Sequence, residues 1–208
     1  DARARGGNLA AEACPQYLLL REDEVHSCGS LRKFTPPARA RSDADEDAMW
    51  DLVRNGTYSH FSTDHAPSTM EQKQSGDIWT SPFGLPGLDT TFPVLVDAAL
   101  RGKIDLADVA RLYCETPAKR YGLFPRKGHL GVGADADFVL IDAAGSWRID
   151  DSSLLSKAGW SPYDGRVLQG RAVATYLGGK EVARDGAAHQ QRTGSFVDGA
   201  GRLPAGVR

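Results

Sequence analysis

The stretch FSTDHAPS, residues 61 to 68, sets an aspartate beside a histidine just ahead of a proline, at the end of a run with strand-like character. Asp64 offers a carboxylate that can bind a metal or carry a proton, and His65 an imidazole that can do either or orient a neighbour. Barrels of alternating strands and helices place metal ligands and general bases at such strand ends, ahead of long loops. Taken alone, these eight residues are met equally by an aspartate that caps the next loop and a buried, hydrogen-bonded imidazole. A triad of Ser62, Asp64 and His65 is excluded, because alternate strand residues share a face and neighbours point apart.

Two other constellations fall away. Cys14, His26 and Cys28 do not have the spacing of a closed zinc site, and no fourth ligand is evident. Residues 131 to 136, GVGADA, satisfy a relaxed dinucleotide glycine pattern, but here the glycines precede a strand and no helix opens after them. They read as a turn that feeds the strand ADFVLID.

The elements that must position Asp64 follow from local signals. NLAAEAC, from Asn8, is a small-residue strand-like piece stopped by Pro15, and RKFTPPAR (32 to 39) is extended, since each residue before a proline is pushed out of the helical region. Ser42 or Asp43 caps a helix with Ala44, Ala48, Met49, Leu52 and Val53 on one face and Gly56 past its end. Tyr58 to Thr63 reads as a strand that runs into Asp64, and residues 68 to 88 as a long surface loop that covers a site. TTFPVLVDAALRG gives one helix; DLADVARLYCETPAKRYGL gives another, with Leu106, Val109, Ala110 and Tyr113 on one face and an interruption at Pro117. From Gly128 short strands follow: HLGVG, ADFVLID and RAVATYLGGKEVARDG, whose Gly178-Gly179 pair suits a tight hairpin. The expected division is 1–127, 128–186 and a loose, glycine-rich tail at 187–208.

At 208 residues with 41% hydrophobic content, the chain is long enough for a real core. A formal net charge of -2 leaves no broad attraction toward nucleic acid or anionic membrane surfaces, so a small molecule is the expected partner. Three cysteines, odd in number and not spaced as a scaffold, suit a reducing compartment, and the expected location is cytoplasmic. The first ten residues lack the apolar stretch of a secretory signal, and no run approaches the ~18 apolar residues of a membrane helix.

Together AEACPQYLLL (11 to 20), KFTPPAR (33 to 39), FSTDHAPS, SPFGLPGLDT (81 to 90), ETPAKRYGLFPRKGHLGVGADADFVLID (115 to 142) and SPYDGRVLQGRAVATYLGGKEVARDG (161 to 186) resemble the cyclic amidohydrolases, in family order. That group is the hydantoinase, dihydropyrimidinase, dihydroorotase and allantoinase branch of the metal-dependent amidohydrolases. The resemblance implies an α/β fold: the C-terminal part of a (β/α)8 TIM-type metallo-hydrolase barrel over 1–127, with strands of a small β-sandwich lobe over 128–186. It implies a two-metal site, usually zinc, with Asp64 as metal ligand and catalytic proton shuttle. His65 is expected to orient that site, and Thr35, Phe83 and Gly84 to contact substrate. The family's other ligands, an HxH pair, a carbamylated lysine and two further histidines, belong to segments upstream of CPQYLLL, so this chain by itself is expected to be inactive.

Ser68 stands where a dihydroorotase carries the second histidine of DHAPH, and Gln16 in CPQYLLL resembles the hydantoinase side. The expected reaction is therefore hydrolysis of a hydantoin or dihydropyrimidine ring, with dihydroorotase or allantoinase activity as alternatives. A homo-oligomeric full-length enzyme is expected. A non-catalytic relative retained as an assembly scaffold is the rival reading from another class.

Overall fold

The computed structural model describes residues 2–191 and 193–199. A short strand β1 (Glu12–Ala13) leads into helix α1 (Pro15–Leu19), with Pro15 in the first turn, where its missing N–H costs nothing. A short helix α2 (Val25–Cys28) and helical turns on either side carry the chain to the extended 33–40 segment. Helix α3 (Asp43–Arg54) begins as expected: the Ser42 Oγ accepts the Asp45 N–H at 3.2 Å, and acidic residues fill the first turn. Its buried face centres on Trp50 and Val53, while Ala44 and Ala48 are exposed. The stripe is rotated from the expected one because the indole, the largest apolar group on the helix, takes the core position.

Strand β2 is confined to His60–Phe61 and lies parallel to β1, Glu12 opposite His60 and Ala13 opposite Phe61. The expected run to Thr63 ends early: the Ser62 N–H still donates to the Ala13 carbonyl at 3.0 Å, but the facing chain turns into helix α1 at Pro15, and the pairing goes no further. The 68–88 loop contains a helix, α4 (Met70–Gln74), set by a reciprocal cap in which the Thr69 hydroxyl accepts from Gln72 N–H and the Gln72 side chain accepts from Thr69 N–H.

Helices α5 (Thr91–Leu100), α6 (Leu106–Ala110) and α7 (Thr116–Arg120) follow. The expected break at Pro117 does not occur. A wide turn over Arg111–Glu115 joins α6 to α7, with the Thr116 N–H reaching back five residues to the Arg111 carbonyl. Widening the helix there accommodates a ring that cannot donate, and it carries Leu112 rather than Ala110 into the core beside Val109.

HLGVG also differs from expectation: it is a turn, not a strand. The His129 Nδ1 accepts the Gly131 N–H at 2.9 Å, and Gly133 takes a φ of 93°. The remaining strands, β3 (Phe138–Arg148), β4 (Val167–Leu177), β5 (Lys180–Arg184) and β6 (Ala187–Ala188), form an antiparallel sheet in that order. Gly178 and Gly179, at φ 57° and 76°, close the β4–β5 hairpin. Ala187–Ala188, assigned by sequence to the loose tail, pairs with β5, whereas Arg192 and residues 200–208 of that tail lie outside the described residues.

One apolar cluster joins β1, α1, α3, β2, α5 and the α6–α7 region through Ala13, Leu18, Trp50, Phe61, Leu95 and Leu112. A second joins the extended segments to the sheet through Phe34, Leu85, Val94, Ile149, Trp160 and Leu168. Between α5 and β4 the buried Asp97 carboxylate accepts from Arg101 Nε and from the Gln169 N–H, both at 2.7 Å. Among the described residues no helix is long and apolar enough to cross a membrane.

Candidate active-site platform

Asp64 lies three residues beyond the β2 strand with a φ of 46°, in the left-handed region that aspartate tolerates better than most residues. Its side chain is open to solvent, and among the described residues no donor or cation pairs with it. Even so its carboxyl is raised above the ordinary aspartate value, first by partial removal from water and second by the charge of Glu12. An unpaired carboxylate on a strained backbone is a recurrent feature of functional sites.

The neighbouring imidazole is fixed. The His65 Nδ1 accepts the Gly87 N–H at 3.0 Å and the Leu88 N–H at 3.2 Å, so in the neutral ring the proton resides on Nε2. The Ala66 N–H donates to the Leu85 carbonyl at 3.0 Å, and His65 bridges Leu85 in parallel. Gly84 must be glycine: its φ is 103°, and a Cβ there would sit 2.4 Å from the Ala66 oxygen. Its N–H donates to the Lys33 carbonyl at 3.1 Å, which brings in the segment that carries Thr35. Phe83 is exposed, with the Lys33 Nζ 4.3 Å from its ring centroid.

Asp64, His65, Phe83 and Gly84 thus share one platform, and Thr35 stands on its third segment, exposed beside the buried Phe34. No side-chain hydrogen bond joins Thr35 or Phe83 to Asp64 or His65 among the described residues.

Sequence reasoning named Gln16 and Cys14 without their contacts here, and missed the other groups around this platform. The buried Gln16 side chain donates to the Thr63 carbonyl at 3.3 Å. The Cys14 Sγ lies 3.8 Å from the Ser62 Oγ, and burial pushes its thiol up to about 11. Tyr17 stacks on Phe34 and is likewise raised, by burial first and then by the charges of Cys14 and Asp64. His60 is buried, its Nδ1 3.0 Å from the Ser59 Oγ and its Nε2 3.4 Å from the Glu12 carboxylate. The available signal was the i, i+2 spacing of Glu12 in β1 and Cys14 just after it, but strands of two residues are too short to reveal their register. Lys73, in the polar text MEQKQS, gave none.

Among the described residues no three histidine, cysteine, aspartate or glutamate side chains converge as a metal-binding group. Asp64, carboxylate-bearing and unpaired, fits the role of a single ligand; these residues do not enclose a metal by themselves.

The sequence profile described as "Amidohydrolase family" matches residues 10–182. Curated relatives include a dihydroorotase of Halobacterium salinarum, 38% identical over 167 residues that span 80% of this chain and 38% of the relative. An L-hydantoinase of Paenarthrobacter aurescens is 33% identical over 201 residues, 95% of this chain and 43% of the relative. Among solved structures, the L-hydantoinase (dihydropyrimidinase) of Arthrobacter aurescens superposes with a TM-score of 0.85 at 32% identity, covering 90% of this chain and 42% of that one. The chain therefore spans about two fifths of the length of these relatives.

Proposed function

The chain belongs to the amidohydrolase family, and from that membership we propose that it forms the Asp64-bearing part of a metal-dependent hydrolase of cyclic amides, hydantoinase- or dihydropyrimidinase-like in its ring preference. The observation that carries this reading is the likeness to the Arthrobacter L-hydantoinase over 90% of the chain at a TM-score of 0.85. In this reading β1 and β2 are adjacent parallel strands of a TIM-type barrel reaching to residue 127, residues 128–186 supply strands of a β-sandwich lobe, and Asp64 occupies the C-terminal end of its strand.

Asp64 is the proposed metal ligand, with zinc the proposed metal and the other ligands supplied from elsewhere in the working enzyme. A divalent ion bound there lowers the pKa of water and polarises the ring carbonyl. The Asp64 carboxylate takes the proton of the attacking water and passes it to the leaving ring nitrogen. His65 holds the 84–88 segment through its two backbone donors, so the backbone around Phe83 and Gly84 meets the ring at a fixed distance from Asp64. Thr35 contributes from the opposite segment. A cytoplasmic, homo-oligomeric enzyme is part of the same proposal.

The test is turnover of hydantoin, dihydrouracil and dihydroorotate by the intact, zinc-loaded polypeptide that carries this chain. Asp64→Asn lowers kcat by about a thousandfold; retention of more than about a tenth of wild-type kcat removes Asp64 from the proton path. His65→Asn is expected to weaken turnover by a smaller factor, and unchanged turnover with unchanged zinc content discards its orienting role. The 38% identity to the Halobacterium enzyme favours a second reading, dihydroorotase; preferential turnover of dihydroorotate decides for it. Absence of both turnover and zinc binding decides for a scaffold protein.

A further inference from the structure

Lys73 is completely buried although it lies in a polar stretch. Its Nζ donates to two main-chain carbonyls, those of Lys33 at 3.0 Å and Pro82 at 2.9 Å. The Lys33 carbonyl also receives the Gly84 N–H. The ammonium therefore bridges two extended segments, one leading to Thr35 and the other to Phe83 and Gly84. Pro82 has no N–H, so a regular ladder cannot continue through it. Lys73 Nζ instead donates to the Lys33 and Pro82 carbonyls, two acceptors that cannot bond each other.

The backbone that carries Lys73 and the surroundings of its ammonium are also fixed. The Ser30 hydroxyl bonds to the Lys73 carbonyl, and the α4 cap fixes the helix that carries it. The Trp160 ring centroid is 5.8 Å from Nζ, and the indole N–H donates to the Ser68 carbonyl at 2.8 Å. On the outer side the Lys33 Nζ donates to the carbonyls of Trp79 and Ser81 at 3.1 and 2.6 Å. Burial, then the charge of Lys33, lowers the Lys73 pKa to about 8, which leaves the group mostly protonated at neutral pH. An apolar residue would fill the same volume at less desolvation cost. What the cation adds is a pair of directed bonds that a hydrocarbon cannot make.

We propose that Lys73 is a positioning residue of the substrate pocket: its buried Nζ sets the spacing between the Thr35 segment and the Phe83–Gly84 segment, and so governs ring binding rather than metal binding or bond cleavage. The proposal rests on the cyclic-amide reading above.

The experiment compares wild type, Lys73→Met and Lys73→Arg in the intact, zinc-loaded polypeptide. Methionine keeps an unbranched stem and removes both bonds; arginine keeps a cation with donors on a longer stem. For Lys73→Met, KM for the preferred ring rises about tenfold with kcat within about threefold, zinc content is unchanged, and the Gly84 amide exchanges with solvent about tenfold faster. Lys73→Arg shows a smaller rise in KM, and if the methionine variant does not fold, that rise is the deciding measurement. A KM within about twofold of wild type in the folded variants overturns the proposal, as does loss of zinc together with collapse of kcat, which assigns the lysine to folding alone. If wild type turns over none of the three rings, the cyclic-amide reading falls separately. Gly84 exchange then decides the positioning claim: faster exchange in Lys73→Met supports it, and unchanged exchange overturns it.

Discussion

The antiparallel sheet and the platform around Asp64 are held together by opposite means. In the sheet, β3 and β4 are each 11 residues long and paired by a backbone ladder, with the β4–β5 turn closed locally by Gly178 and Gly179. Many of its side chains are open, including Leu140 and Val167, and ion pairs such as Arg171–Asp185 lie at the surface. The platform has almost no ladder. It is assembled by single donors reaching across long stretches of chain: Gln16 to Thr63, Lys73 to Lys33, Gly87 to His65 and Trp160 to Ser68. Free energy is spread over many bonds in one region and concentrated in a few buried donors in the other. A substitution in the sheet should therefore be tolerated where a comparable one in the platform is not.

A pair of glycines tests this most severely. Gly84→Ala must overcome both a φ of 103° and a 2.4 Å approach to the Ala66 oxygen, and is expected to cost about 3 kcal/mol or more. Gly186→Ala, at φ 82° with open space around the new methyl, is expected to cost only about 1–2 kcal/mol. Denaturant midpoints measure both, and equal losses would break the contrast.

The second test is a pH series on the lysine. Because the folded pKa of Lys73, about 8, lies below the ordinary 10.5, the unfolded chain holds that proton more tightly, and stability gains as pH rises between those values. The stability of wild type minus that of Lys73→Met should rise by about 1 kcal/mol per pH unit in that window. A flat difference means that Lys73 is not desolvated in solution. Cys14, raised to about 11 from 9, acts in the opposite sense above pH 9, since its buried thiol must ionise, but it is common to both proteins and cancels.

Trp160→Phe keeps most of the ring and leaves the Ser68 carbonyl without its donor, an expected loss of about 1–3 kcal/mol by chemical denaturation. At the small end, Arg171→Ala removes an ion pair whose partners are 42% and 53% exposed and should change stability by less than about 1 kcal/mol. A larger effect there would mean that the sheet also depends on individual side chains.

Much of the local architecture was legible. The α3 helix follows from Ser42 and Gly56, the hairpin from two adjacent glycines, and the turn nature of residues 131 to 136 from glycines placed before a strand. The misreadings share one cause. The residue types of HLGVG suggest a strand, yet the His129 side chain accepts the Gly131 N–H and closes a turn. Pro117 suggests a break because the width of a helix does not show in composition, and the Thr116 bond to Arg111 absorbs it. In the site, Asp64 and its neighbour stood out because their chemistry is carried in adjacent letters. Glu12, Tyr17 and Lys73 did not, because each matters through a partner distant in sequence.

Sequence by itself determined which residues turn, cap and alternate, and it marked Asp64 as the acid at a strand end, since those properties depend on a residue and its near neighbours. Tertiary structure decided that partial burial and then the charge of Glu12 raise that acid, that His65 accepts the backbone N–H groups of Gly87 and Leu88, and that a lysine in polar text is wholly enclosed. Burial and long-range donors are set by what other parts of the chain deliver to the same point in space, and no local pattern encodes that delivery.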